Sequence, residues 1–257
     1  MLSIAQQQGF RVPSLRAYHY RVHVLDSELL QRLVEAASRP LLEQQQRRWK
    51  RLIADGAGFG FGQKYLLKWM RGSQLRQVSS HVRLVTLVAV DQHAQSVIVS
   101  CSCGGPYRSE VKLLEGVLRR LDKLPDVPLI ADRGLDAVGL MQRVKELGCP
   151  VAIGVKGTWR VRNPLRQGWK KSGRERYRVE GMYGLLKQKL GSWFAVLRED
   201  MAKKKALAVA LCYNLYMLVV SGHLDGSFCL ILSAFIWLIS ALLWRLCSRK
   251  IAYNIRL

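Results

Sequence analysis

The sequence has 257 residues, of which 49% are hydrophobic, and its 41 Lys and Arg residues against 18 Asp and Glu residues give a formal net charge of +23. The apolar content suffices for a buried core, which excludes a disordered basic tail protein, and the length fits one large domain or two small ones. A foldable chain this basic needs a polyanionic partner, either nucleic acid or an anionic membrane surface.

Cysteine usage and the N-terminal sequence bear on the compartment. The six cysteines show neither a disulfide framework nor the spacing of zinc ligands. The N-terminus lacks the basic and apolar regions of a secretory signal. We therefore expect a location in the cytoplasm.

Short elements dominate the first half of the chain. One amphipathic helix is predicted over Leu25–Ala37, within a basic, Gln-rich region that cannot bury a core alone. A strand at Arg51–Asp55 is then expected to enter a glycine-rich turn. A hairpin follows, formed by Leu84–Asp91 and Gln95–Ser102 around Gln92-His93-Ala94.

The glycines of the expected turn alternate strictly, at Gly56, Gly58, Gly60 and Gly62. This spacing matches neither the dinucleotide-binding fingerprint nor the P-loop. Glycine also permits the backbone to approach a neighbour closely. We therefore expect these residues to serve close packing or an approach to DNA.

Helices and strands alternate in the next segment. Helical spacing predicts helices at Tyr107–Leu124 and Asp136–Leu147, and apolar runs predict strands at Val127–Asp132 and Pro150–Val155. After a very basic loop over residues 156–176, two more helices are predicted, at Tyr177–Leu190 and Ala206–Val220. This order predicts an α/β protein with a mixed β-sheet flanked by helices.

The C-terminal segment differs in character. Phe228–Trp244 contains no charged residue, and as a helix it would be about 26 Å long, slightly short for a hydrocarbon core of roughly 30 Å. An apolar C-terminal helix is expected here, and three roles stay open for it: a membrane span, a packing or dimerisation element, or an extension without a selected role.

Three acids occupy special places in this pattern. Asp55 ends the first predicted strand, Asp132 ends the fourth, and Glu180 lies on the helix after the basic loop. Carboxylates gathered at one edge of a sheet can hold hard divalent cations. Two such ions can assist the displacement at a phosphodiester, whereas each acid alone could be an ordinary turn or helix cap.

The predicted helix around Glu180 carries two cations on the same face. At about 100° per residue, Arg176 lies about 40° from Glu180 and Lys187 about 20° from it. Such a face could be an exposed helix with an ordinary ion pair. Beside a metal site, the two cations would instead grip the phosphates of a DNA strand.

With these motifs the sequence resembles the DDE transposases of insertion sequences, most closely the broad IS4/IS5-type group. The motifs are IADGAGFGF around Asp55, PLIADRGLD around Asp132 and RERYRVEGMYGLLKQKLG around Glu180, and the resemblance covers roughly residues 48–220. The most specific parts are the Asp-Arg-Gly of the second motif and the Arg-x3-Glu-x6-Lys of the third. Gly173 stands where the related signature has a tyrosine.

The resemblance implies an RNase H-like catalytic domain that cleaves DNA at the ends of the element and transfers the resulting 3′-OH groups into target DNA. It implies two Mg²⁺ ions, for which Mn²⁺ would substitute, with Asp55 bridging both and Asp132 and Glu180 each completing one. DNA contacts are expected from seven residues: Arg133, Arg160, Arg162, Lys170, Lys171, Arg176 and Lys187. The implied partners are the terminal inverted repeats, target DNA and further copies of the chain, at the nucleoid.

The predicted organisation follows from this resemblance. Residues 1–47 form a short basic region, interpreted as a DNA-binding part that is compact or truncated; residues 48–220 form the catalytic domain; and residues 221–257 form the apolar extension. Residues 1–220 carry +20 of the net charge. Two alternatives stay open: a DNA-binding remnant without activity, and a basic membrane-associated protein that uses residues 206–244 as two apolar helices.

Overall fold

A computed structural model describes residues 24–43, 49–62, 81–93, 95–153, 177–194 and 196–222. Several predictions lie outside these residues. They concern the basic loop, the apolar segment 228–244 and five expected DNA contacts, at Arg160, Arg162, Lys170, Lys171 and Arg176.

Twelve elements follow one another in the described residues. They are α1 (Ser27–Glu43), β1 (Trp49–Phe61), β2 (His81–Asp91), β3 (Ser96–Gly104), α2 (Glu110–Arg119), β4 (Leu129–Ala131), a 3-10 turn (Arg133–Leu135), α3 (Val138–Glu146), β5 (Val151–Ile153), α4 (Tyr177–Leu190), β6 (Trp193–Phe194) and α5 (Glu199–Val220).

The strands form one mixed sheet. Its order is β3-β2-β1-β4-β5, with β6 paired to the far end of β1. The hairpin strands β2 and β3 are antiparallel, and β2 is antiparallel to β1, whereas β4, β5 and β6 extend the sheet in parallel. The prediction of an α/β protein with a mixed sheet flanked by helices is therefore confirmed.

The side chains of β1 alternate between two buried layers. Ile53 and Phe59 lie in one layer with residues of α1, α4 and α5. Leu52 and Ala54 lie in the other layer, with residues of α2 and α3. Successive residues of a strand point to opposite faces. The side chains at odd-numbered positions from Ile53 to Phe59 therefore face α1, α4 and α5, and those at even-numbered positions face α2 and α3.

The prediction of a glycine-rich turn after Asp55 is wrong. β1 continues to Phe61, and Gly56 to Gly60 pair in register with β2 residues Val85 to His81. Glycine has a low propensity for β-strands, and these residues are in a strand because their backbone pairs with β2. The expected close approach occurs at Gly60, where an added β-carbon would overlap the indole ring of Trp193.

Four of the predicted helices have different bounds in the structure. The helix expected over Leu25–Ala37 spans Ser27–Glu43. The helix expected from Tyr107 to Leu124 spans only Glu110–Arg119, and the one expected from Asp136 begins at Val138, after the 3-10 turn. The last helix begins at Glu199, seven residues before the predicted start. Acidic residues in a first turn favour a helix start, and Glu199 pairs with Lys203 one turn later.

Among the residues that the structure describes, no helix is long and apolar enough to cross a membrane. The helix α5 illustrates this, because it packs on β3 and β2 and also contains Lys203, Lys204 and Lys205. Residues 206–220, which the membrane interpretation uses, thus belong to a helix on the sheet.

Candidate active site

The two predicted catalytic aspartates are neighbours. The parallel register of β1 and β4 pairs Ala54 with Ala131, so that Asp55 and Asp132 take the next positions on adjacent strands. Adjacent strands lie about 4.8 Å apart. The sheet therefore brings together two acids that are far apart in the sequence.

Both carboxylates belong to the same face of the sheet. Asp55 is two residues after Ile53, and Asp132 is two residues after Ile130; both isoleucines lie in the layer of α1, α4 and α5. The backbone of Asp132 is still extended, so the alternation holds beyond the last residue of β4. The pair therefore lies on the face that α4 covers.

Each carboxylate is held by the residue that follows it. The Gly56 amide donates a hydrogen bond to Asp55 Oδ1 at 2.9 Å, and the Arg133 amide donates one to Asp132 Oδ1 at 2.8 Å. Both aspartates are partly exposed. These bonds fix the orientation of two partly exposed carboxylates on one face of the sheet.

The helix α4 is joined directly to Asp55. The Tyr183 hydroxyl donates a hydrogen bond to the Asp55 carbonyl oxygen at 2.9 Å and lies 2.6 Å from Thr86 Oγ1. Thr86 is itself the partner of Asp55 across β1 and β2. The side chain of Tyr183 is buried, and this burial raises the pKa of its hydroxyl, which is therefore neutral at physiological pH.

Two further contacts show that α4 runs along β1 in the same direction. Near the start of α4, Arg178 lies close to Arg51. Burial is the larger cause of the lowered pKa of Arg51, and the positive charge of Arg178 is the second cause. Toward the end of α4, Lys187 Nζ lies 5.6 Å from the ring centroid of Phe59, within range of a cation–π contact. Glu180 therefore falls between the contact at Arg51 and the contact at Asp55.

The carboxylate of Glu180 does not join the aspartates in a closed cluster. Glu180 is exposed and lies three residues before Tyr183, hence on a neighbouring position of the helix surface. In the part of the chain that the structure describes, no group of three or more His, Cys, Asp or Glu residues could hold a metal ion. The donor chemistry of the aspartate pair itself fits a hard cation, because both residues offer carboxylate oxygens.

Two of the seven expected DNA contacts lie in the described residues. Arg133 is exposed in the 3-10 turn directly after Asp132. Lys187 is half-buried, with its ammonium group over Phe59. Arg133 is therefore the sequence neighbour of Asp132, and Lys187 lies on the same helix as Glu180.

Sequence reasoning missed Tyr183 and Thr86. Tyr183 shares the buried stripe of α4 with Val179 and Leu186, and Thr86 interrupts an otherwise apolar strand. A buried tyrosine or threonine requires a hydrogen-bond partner. This requirement indicates that Tyr183 and Thr86 each have a hydrogen-bond partner, but the sequence alone does not show that they bond to each other.

Glu110 is a further acid that the sequence did not single out. Its carboxylate lies beside Gly56 and Gly134, on the opposite face of the sheet from the aspartates, and pairs with Arg83 at 3.4 Å. A β-carbon on Gly56 would come within 2.9 Å of Glu110 Oε1. Glycine after Asp55 therefore leaves space for this ion pair.

The fold and site define an α/β protein with an aspartate pair on adjacent parallel strands of a mixed sheet, Asp55 within β1 and Asp132 directly after β4. No family model matches the chain. A protein of Aquifex aeolicus (strain VF5), described as uncharacterized, is 32% identical to it over 221 residues, which cover 81% of this chain and 68% of that protein. The chain belongs to the family of this Aquifex protein.

Proposed function

We propose that this protein is a DDE transposase of an insertion sequence, with an RNase H-like catalytic domain. The observation that carries the proposal is the placement of Asp55 and Asp132 on neighbouring positions of adjacent parallel strands, on one face of the sheet. The mixed sheet with helices on both faces supports the RNase H-like assignment, and the contact of α4 with Asp55 supports a role for Glu180.

In this proposal the three acids hold Mg²⁺, with Mn²⁺ as a substitute. Asp55 and Asp132 provide the preformed part, and Glu180 completes the site from α4 when metal and DNA are bound. Bound divalent ions would supply charge stabilisation for the displacement at a phosphodiester. The chain's own contribution is to orient the carboxylates of Asp55 and Asp132 and to hold α4 beside them.

Basic residues of the chain would contact the DNA. Arg133 directly follows Asp132, and Lys187 lies on α4 with Glu180. Arg176 and the loop residues would extend the contact along the phosphates; the loop residues are Arg160, Arg162, Lys170 and Lys171. The DNA partners are the terminal inverted repeats and the target. Cleavage of two element ends would require a dimer or a larger assembly on DNA.

A second candidate is a DNA-binding remnant that keeps the fold without the reaction. One observation favours it: Glu180 does not form a metal-binding group with the aspartates among the described residues. Such a protein would retain salt-sensitive DNA binding, because its cations are unchanged. It would not cut DNA under any metal condition.

The test is cleavage of DNA that carries the gene together with its flanking sequences. The full chain is incubated with this plasmid in Mg²⁺, in Mn²⁺ or in EDTA, and the ends are mapped. The proposal predicts metal-dependent breaks at inverted repeats beside the gene, with 3′-OH termini. A salt-sensitive gel shift without any break would instead establish the remnant, and the absence of both would contradict the two candidates.

A further inference from the structure

The hydroxyl of Tyr183 forms two hydrogen bonds at the candidate site. It lies 2.9 Å from the Asp55 carbonyl oxygen and 2.6 Å from Thr86 Oγ1. A hydroxyl has one proton, and a carbonyl can only accept, so Tyr183 donates to Asp55 and Thr86 donates to Tyr183. The helix, β1 and β2 are therefore joined at the residue that carries the first catalytic carboxylate.

This connection differs in kind from the other contacts of α4. Val179, Met182 and Leu186 bury apolar surface against the sheet, and such burial is non-directional. Hydrogen bonds are directional and weaken steeply when distance or angle changes. The apolar stripe thus holds α4 against the sheet, whereas the Tyr183 hydroxyl sets its position along β1.

We propose that Tyr183, together with Thr86, is a positioning residue that sets the placement of Glu180 relative to Asp55. Glu180 lies less than one helical turn before Tyr183, so a shift of α4 along β1 would move both side chains together. The inference rests on the proposed function, because it assigns Glu180 to the same metal site as Asp55. Mutation of a residue that orients a metal ligand typically reduces metal affinity or activity by roughly 10- to 100-fold.

The decisive variant is the double substitution Tyr183→Phe with Thr86→Val. The single change Tyr183→Phe would leave the fully buried Thr86 hydroxyl without its partner and would destabilise the fold. The double change replaces both hydroxyls of the Tyr183–Thr86 bond by apolar groups of similar shape, which is often nearly neutral, so only the Asp55 carbonyl oxygen loses a donor. The double variant is therefore expected to be more stable than Tyr183→Phe while it lacks the directional contact.

The matched control is Tyr213→Phe. The Tyr213 hydroxyl donates to the Ser96 carbonyl oxygen at 3.0 Å and also forms a hydrogen bond with the Ser96 hydroxyl. These contacts join α5 to β3, the strand farthest from β5 in the sheet order. Like the double variant, the control therefore loses tyrosine hydrogen bonds to a backbone carbonyl and to a hydroxyl, but away from α4 and the aspartates. Comparison with this control shows whether an effect comes from the loss of tyrosine hydrogen bonds in general or from the loss of those formed by Tyr183.

Mn²⁺ affinity is measured by electron paramagnetic resonance of the full chain with and without the plasmid, and cleavage of the plasmid is measured in parallel. For the double variant we expect about 10-fold weaker Mn²⁺ binding and a comparable loss of cleavage rate. Its DNA affinity in gel shifts should stay at the wild-type value, and its unfolding midpoint should stay close to that of the Tyr213→Phe control. The Tyr213→Phe control should retain wild-type Mn²⁺ affinity.

The outcomes separate this inference from the proposed function. A double variant that binds Mn²⁺ as tightly as the wild type overturns the positioning role alone. A wild-type chain that neither binds Mn²⁺ nor cuts DNA overturns both. Weakened Mn²⁺ binding in the double variant of a chain that does not cut DNA supports the positioning role and contradicts the transposase assignment.

Discussion

Replacement of Asp55 by Asn is expected to reduce the rate of DNA cleavage about 1,000-fold. The amide lacks the negative charge with which a carboxylate holds a hard cation. Metal assistance is worth several kcal/mol in such displacements, and about 4 kcal/mol corresponds to roughly three factors of ten in rate. The measurement is the initial rate of plasmid cleavage in Mg²⁺ at saturating protein.

The control for this prediction is Asp122→Asn. Asp122 is an exposed acid after the end of α2, in the segment that precedes β4, whereas Asp132 follows that strand. The control removes the same charge from the chain, so both variants should bind DNA alike. Cleavage by Asp55→Asn at the rate of Asp122→Asn would contradict the assignment of Asp55.

Replacement of Asn214 by Leu is expected to destabilise the fold by about 4 kcal/mol. Asn214 is fully buried on α5; its Oδ1 accepts from the Ile98 amide at 3.0 Å, and its Nδ2 donates to the carbonyls of Val34 and Ile98 at 3.0 and 2.7 Å. Leu would leave these three backbone groups buried without the amide. Each such group costs about 1–3 kcal/mol.

The expected loss for Asn214→Leu is measured by urea unfolding. Tyr216→Leu is the control, because Tyr216 lies on the same helix with its side chain about half exposed and should change the free energy of unfolding by less than about 0.5 kcal/mol. Equal stability of the two variants would contradict the role of Asn214. A loss of stability in Asn214→Leu but not in Tyr216→Leu would show that the Asn214 side chain stabilises the contact of α5 with α1, which carries Val34, and with the sheet.

The hairpin and the aspartate pair are the parts that the sequence predicted well. Continuous apolar runs in β2 and β3 set both strands, and a short turn allows little freedom in their register. Asp55 and Asp132 each follow a buried apolar run, and these two runs pair in parallel register, although β1 continues beyond Asp55. These features depend on local patterns that a single sequence contains.

The remaining features depend on partners far away in the chain. The glycines of β1 extend a strand because β2 pairs with them, which no local propensity of glycine indicates. Tyr183 meets Thr86 across 97 positions and Asp55 across 128. The start of α5 at Glu199 depends on charged residues, whereas the predicted start followed the apolar pattern from Ala206.

The most direct test of the central claim is the metal preference of Asp132→Cys. A thiolate is a poor ligand for the hard Mg²⁺ ion, whereas Mn²⁺ accepts softer ligands. If Asp132 holds the ion that acts on DNA, this variant should lose plasmid cleavage in Mg²⁺ and recover a substantial part of it in Mn²⁺. Equal activity of the variant and the wild type in both metals would contradict the claim.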